Sequence, residues 1–304
     1  MRKTSAVLAS LSLVVLALTG CAASPASDGA ACERDSGGDK VLSAATVTGD
    51  LGSTPDVEVF PPVKVEESAF ADITVGDGRT LTSDFQPMVL DIAFYGGESG
   101  EELYTSEFNG DLSRVNNIDF WTQKSPGLGK VLECATGGSR VLALLTQEDF
   151  GAQNAEGFGL AADENVVAVI DVLDVYPTRA SGESQFNDAQ GLPTVVRAPD
   201  GTPGIIIPDS PAPTEAVTQT LIKGDGPEVK KGDTIVNNIL AVSWDDKTVA
   251  TNTWGSAASF GAAANELIGA TVGSQLLVVV PESEGTPATA IVVDILGVVP
   301  TATP

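Results

Sequence analysis

The chain has 304 residues, 42% of them hydrophobic, with 16 Lys+Arg against 41 Asp+Glu and a formal net charge of −25. So acidic a surface repels nucleic acid. The absence of histidine removes imidazole acid–base work, His-containing triads and His-ligated metals, and three cysteines cannot furnish a four-cysteine zinc site, so neither a metal nor a cofactor is expected.

Arg2 and Lys3 open the chain, and an apolar run from Ala6 to Leu18 follows. The run is too short to span a bilayer and reads as a secretory signal over residues 1–20. The sequence LTGC ends at Cys21 and resembles the lipobox of bacterial lipoproteins, in which the cysteine is acylated and becomes the new N-terminus. The competing reading is a plain signal peptide with a stray cysteine. Residues 21–40 are small, polar and rich in Gly and Ser, as expected of a flexible tether. With Cys21 lipidated, Cys32 and Cys134 remain; outside the cytoplasm they are expected to form a disulfide, the alternative being two buried thiols.

Between residues 41 and 65 apolar residues alternate (Val57, Val59, Val63, Val65), which predicts short strands. GDGRT (76–80) is a turn whose glycines need positive φ or a close approach. Strands are predicted at 87–95 and 103–108, joined by the turn GGESGEE (96–102), and a helix over 126–135 with Ser125 as N-cap and Pro126 at its first position. Apolar, β-branched runs at 139–146 and 165–177 predict central strands. Residues 178–204 read as a linker, with an edge strand expected at 205–208. Strands at 233–244 and 248–254, a short helix within 261–270, and strands at SQLLVVVP and ATAIVVDILGVV complete the chain.

Landmarks of the first half recur in the second. GDG at 76–78 returns at 224–226, LECATGGSRVLALL (132–145) as LIGATVGSQLLVVVP (267–281), and AVIDVLDVYP (168–177) as IVVDILGVVP (291–300). The spacings fall from 148 to 135 to 123 residues, so the second copy is the first with two loops shortened by about a dozen residues each. A duplicated domain follows, 41–177 and 205–304, each α+β: an antiparallel β-sheet packed on one short α-helix.

The order of these landmarks resembles the FKBP-type peptidyl-prolyl cis-trans isomerase domain, in tandem, within an actinobacterial type of lipoprotein. In the second copy they are GDG at 224–226, Gly232–Asp233, DKTVATNTW (246–254), ELIGATVGSQ (266–275), Pro281 and VVDIL (292–296). In the first they are GDG at 76–78, ELYTS (102–106), CATGGSR (134–140) and VIDVL (169–173). The resemblance implies a dry, aromatic-walled pocket that favours the twisted prolyl amide, whose rotation otherwise faces a barrier of about 18–20 kcal/mol. Carried onto this chain, the family's pocket positions fall in the first copy on Leu103 and Tyr104 (the Phe-Asp pair), Leu128 (the helix Trp), Phe150 (the loop Tyr) and Ile170 (the last-strand Phe). The pocket Tyr lands, ungapped, on Asp91. In the second copy they fall on Ile239, Val249, Ala250, Ala263 and Val293, which removes the aromatic walls and marks that copy as degenerate.

Three functions stay open. The first is a membrane-anchored isomerase on the extracytoplasmic face of the cell membrane, acting on unfolded or proline-containing exported polypeptides, with its activity in the first copy. The second is a catalytically inactive holdase or partner-binding lipoprotein of the same fold. The third is a structural β-domain lipoprotein without isomerase kinship.

Overall fold

The computed structural model describes Cys32, Arg34, residues 37–186 and residues 190–299. The signal segment, Cys21 and most of the tether lie outside the described residues.

The described chain begins with a short helix α1 (Asp39–Leu42) and the strands β1 (Ala45–Thr48) and β2 (Asp56–Val59), paired antiparallel. A five-stranded antiparallel sheet follows, built from β3 (Ala69–Thr74), β4 (Met88–Gly96), β5 (Glu102–Thr105), β6 (Ser139–Leu145) and β7 (Val166–Val175) in the order β3-β6-β7-β4-β5. Helices α2 (Ile118–Lys124) and α3 (Gly127–Leu132) lie between β5 and β6, and α4 (Gln147–Phe150) and α5 (Ala152–Gly157) between β6 and β7.

The strands of this sheet are apolar almost throughout because both faces are covered. Leu90, Ile92, Phe94, Val141, Ala143, Ala168 and Ile170 pack with Ile118, Leu128, Val131 and Phe150 on the helical side. Ala93, Tyr95, Leu142, Leu144, Val167 and Val169 pack with Ala45 and Val59 under the β1–β2 hairpin. Each such fully buried side chain contributes about 1.5–3 kcal/mol.

The second half repeats this plan. Strands β8 (Glu183–Ser184), β9 (Thr194–Arg197), β10 (Pro203–Ile206), β11 (Val217–Lys223), β12 (Thr234–Ser243), β13 (Val249–Asn252), β14 (Ser259–Ala262), β15 (Gln275–Val280) and β16 (Thr289–Val299) give a sheet ordered β13-β12-β16-β15-β11-β8, with β14 also on β12. Strand for strand, β11-β15-β16-β12-β13 matches β3-β6-β7-β4-β5. The β9–β10 hairpin covers one face through Val195, Ile205 and Ile207, as β1–β2 does in the first half. Residues 178–204 are therefore no passive linker: β8 extends the second sheet and β9 is half of its covering hairpin.

Three local expectations are corrected. Ser125 does not cap α3; it ends α2, and its hydroxyl donates to Asp149 O at 2.9 Å. Helix α2 was missed, although Asn117 announces it by accepting from Phe120 N at 2.8 Å. The helix within 261–270 is only a 3₁₀ turn, Asn265–Leu267. Pairing of β14 with β12 consumes the first part of that stretch and Gly269, at φ 87°, ends it, leaving too few residues to repay helix nucleation.

The halves meet in a small apolar cluster of Val89, Tyr176, Val236, Leu296 and Val299. A side chain at Gly297 would collide with the Tyr176 ring, so the glycine lets that ring lie flat on β16.

Candidate functional site

Each copy is closed by the same junction. The GDG turn presses on the Thr-x-Gly-Ser segment before the third main strand, and a Cβ at Gly76 or Gly224 would collide with the carbonyl of Gly137 or Val272. Both glycines have ordinary φ; close approach is why they are glycine. Ser139 Oγ accepts from Gly76 N at 2.9 Å and Ser274 Oγ from Gly224 N at 3.0 Å, and Thr136 and Thr271 each donate back to the glycine carbonyl. Cys32 is disulfide-bonded to Cys134, and Arg34 beside it forks onto Asp72 at 2.9–3.0 Å. The end of the tether is thus fixed to the first sheet.

Register places the pocket positions. Ile92 pairs with Ile170 across β4 and β7, and Ile239 with Val293 across β12 and β16. Ile92, and not Asp91, is therefore the counterpart of Ile239. Asp91 points to the opposite face and accepts from Ser106 Oγ at 2.7 Å; its counterpart Asn238 accepts from Thr253 Oγ1 at 3.1 Å. Register also pairs Leu103 with Ala250 and Tyr104 with Thr251, one residue from the alignment above, because both hairpins carry a bulge at the same place.

In the first copy Leu128, Phe150 and Ile170 are fully buried and Ile92 is 1% exposed. All four belong to one buried apolar cluster. Leu103 is half-buried against the same cluster. Tyr104 stands at the surface, 44% exposed, and begins a row of rings: Phe94 6.3 Å away, then Phe150 at 5.1 Å edge-on, then Phe158 at 5.9 Å. Phe94 and Phe158 belong to this row and were not assigned to the site from sequence; the alternation of Leu90, Ile92 and Phe94 along β4 was the signal for the first of them. The row runs from exposed Tyr104 through buried Phe94 and Phe150 to exposed Phe158, so its two ends offer apolar contact to a passing chain.

In the second copy Val249 and Ala250 lie exposed on the edge strand β13, Ile239 and Ala263 are half-buried, and Val293 is buried. No aromatic ring lies among these five positions. Among the described residues no group of His, Cys, Asp or Glu is disposed to hold a metal ion, and two open hollows beside residues 64–69 and the 146–165 loop are lined by none of the pocket positions.

No family model and no curated protein matches the chain. Among solved structures it is similar to the three FKBP domains of wheat FKBP73 (13% identity, TM-score 0.34, covering 76% of this chain and 94% of that one). It is also similar to FkpA from Escherichia coli (19%, 0.26, 37% and 54%) and to a multi-domain immunophilin from Arabidopsis thaliana (13%, 0.27, 47% and 51%). Overlays at such scores fix neither the architecture nor an activity by themselves. The α+β class rests on the antiparallel sheets and few helices described above.

Proposed function

We propose that the protein is a lipid-anchored, extracytoplasmic FKBP-like module that binds apolar, proline-containing stretches of exported polypeptides without appreciable prolyl isomerisation. One observation carries this reading. The first copy's pocket positions, Ile92, Leu128, Phe150 and Ile170, are buried in one apolar cluster, while Tyr104 and Phe158 stay exposed at the two ends of a row of rings. Isomerisation by exclusion of water needs a concavity that receives the amide; binding needs only exposed apolar surface on a rigid support. The second copy, without aromatic walls, serves as a partner domain to the first.

Cys21 carries the anchor in this reading. Ten residues lie between it and the disulfide-fixed Cys32, and the chain's reach of about 3.3–3.6 Å per residue keeps Cys32 within about 40 Å of the anchored cysteine. The full-length protein should bind an unfolded, proline-containing chain, lose that binding in a Tyr104→Ser/Phe158→Ser variant, and leave a protease-coupled prolyl-peptide assay at its uncatalysed rate. Acceleration above background would restore the isomerase reading. A Cys21→Ala protein should leave the membrane fraction or remain unprocessed; processed protein that stays membrane-bound would defeat the anchor.

A further inference from the structure

The 146–165 loop carries a feature that the ring row does not use. Between α5 and the segment preceding β3 lies an open groove of about 790 Å³. Its floor is apolar: Ala155 is buried, and Val65 and Leu160 are half-buried. Its rim carries four exposed carboxylates, Glu66, Glu148, Glu156 and Asp163, and no lysine or arginine lines it. The floor is held rigidly. Asn165 pairs its side-chain amide with both Val65 N and Val65 O at 3.2 Å, Thr146 N donates to Ser68 Oγ at 2.9 Å, and Glu164 accepts from Ala161 N at 3.0 Å. The groove occurs once in the tandem, because the equivalent connection in the second copy is only the short run 281–288 between β15 and β16.

We infer that this groove docks a basic, extended polypeptide segment in which Lys or Arg side chains alternate with apolar ones. Period-two alternation places every second side chain on one side of an extended chain. Apolar residues then meet Val65, Ala155 and Leu160, while the intervening cations reach the carboxylate rim. Charge complementarity selects this occupant: Glu66 and Asp163 also line an adjoining hollow that holds Lys40 and Lys64, but no cation lines the groove itself, so an acidic or neutral segment would leave its carboxylates, Glu148 and Glu156 above all, uncompensated, whereas a basic one neutralises them and associates faster. The inference does not depend on the ring row, since none of its four rings lines the groove.

The test uses the full-length protein and a fluorescent peptide of alternating Lys and Leu, followed by anisotropy at low salt, with a Glu/Leu peptide of the same length as comparison. The Lys/Leu peptide should bind and the Glu/Leu peptide should not. The triple variant Glu148→Gln/Glu156→Gln/Asp163→Asn, whose altered residues are all exposed, should weaken binding about tenfold. Ala152→Trp, which fills the groove from an exposed position, should weaken it without altering charge. Tyr104→Ser/Phe158→Ser should leave it unchanged, so failure of the ring-row reading and failure of this one are separable. Equal binding of the two peptides, no binding at low salt, or undiminished binding to the triple variant with an unaltered near-UV spectrum would each overturn the inference.

Discussion

The two copies put a buried carboxylate at the same place in the sheet and surround it differently. In the first, Asp171 on β7 sits between Arg140 on β6 and Asp91 on β4. Arg140 forks onto it at 2.6 and 2.7 Å, and Arg114 lies 3.7 Å from Asp91. In the second, Asp294 on β16 sits between two amides, Gln275 and Asn238, and accepts from Gln275 Nε2 at 2.7 Å. Both carboxylates also accept a backbone N–H from a segment crossing the outer face, Gly52 at 2.8 Å and Ala180 at 2.7 Å. What the architecture requires is an acceptor for that crossing segment. The flanks are free to vary provided that they balance: in the first copy arginines bracket two carboxylates directly, and in the second a neutral amide bonds the single carboxylate while Arg197 acts one step away, through Gln275.

Replacing the bracket should expose that difference most strongly. Arg140→Met leaves Asp171 and Asp91 adjacent and buried without a guanidinium between them and the outer segment, and should cost about 3–5 kcal/mol in chemical denaturation. Gln275→Met removes a neutral donor to Asp294 and the acceptor of Arg197 Nε at 2.7 Å, and should cost about 1–3 kcal/mol. Equal losses at the two sites would mean that charge balance is not what separates the copies.

The disulfide is a second asymmetry, since Cys32–Cys134 closes a 102-residue separation in the first copy and the second holds no cysteine. Cys32→Ser/Cys134→Ser should destabilise by about 2–4 kcal/mol, and hydrogen exchange should place the loss in residues 69–145. An even loss across both sheets would show that the bridge supports the whole body. At the interface, Gly297→Ala drives a methyl group into the Tyr176 ring and should cost about 1–3 kcal/mol, lowering the cooperativity with which the copies melt. Two transitions already present in the parent protein would show that the interface does not couple them.

The smallest effect concerns pH. Burial raises the pKa of Asp294, against the lowering effect of the Ala180 N–H and the Gln275 amide. A carboxyl whose folded pKa lies above its unfolded one binds more protons in the native state across that interval, so its contribution to stability falls as pH rises from the ordinary carboxylate range through the raised value. Stability of the parent minus that of Asp294→Asn should decline over that window and be flat above it. A difference that increases with pH would reverse the assignment.

Much of this was legible in the chain. Gly76 and Gly224, the Thr-x-Gly-Ser segments and the Asp171 and Asp294 strands recur in one order, because close approach and buried acceptors leave few alternative residues. The pocket positions were named from the resemblance as places along the chain. Leu128, Phe150 and Ile170 are separated by 22 and 20 residues, and nothing local says that such side chains come together; tertiary packing buried all three in one cluster.

The sequence by itself determined the class, the duplication, the paired cysteines and the strands, since these follow from short-range pattern: alternation, glycine at contacts and apolar runs buried on two faces. Only the tertiary structure decided three other matters. The stretch from the GDG turn to Ile92 is one residue longer than that from the second GDG turn to Ile239, and strand pairing set the register, so Ile92 and not Asp91 looks toward the helices. Strand pairing by β14 overrode the helix expected after it. The segment 178–204 became part of the second domain because its strands found partners on β10 and β11. Each is a choice between partners distant in the chain, and local sequence carries no measure of what lies across the sheet.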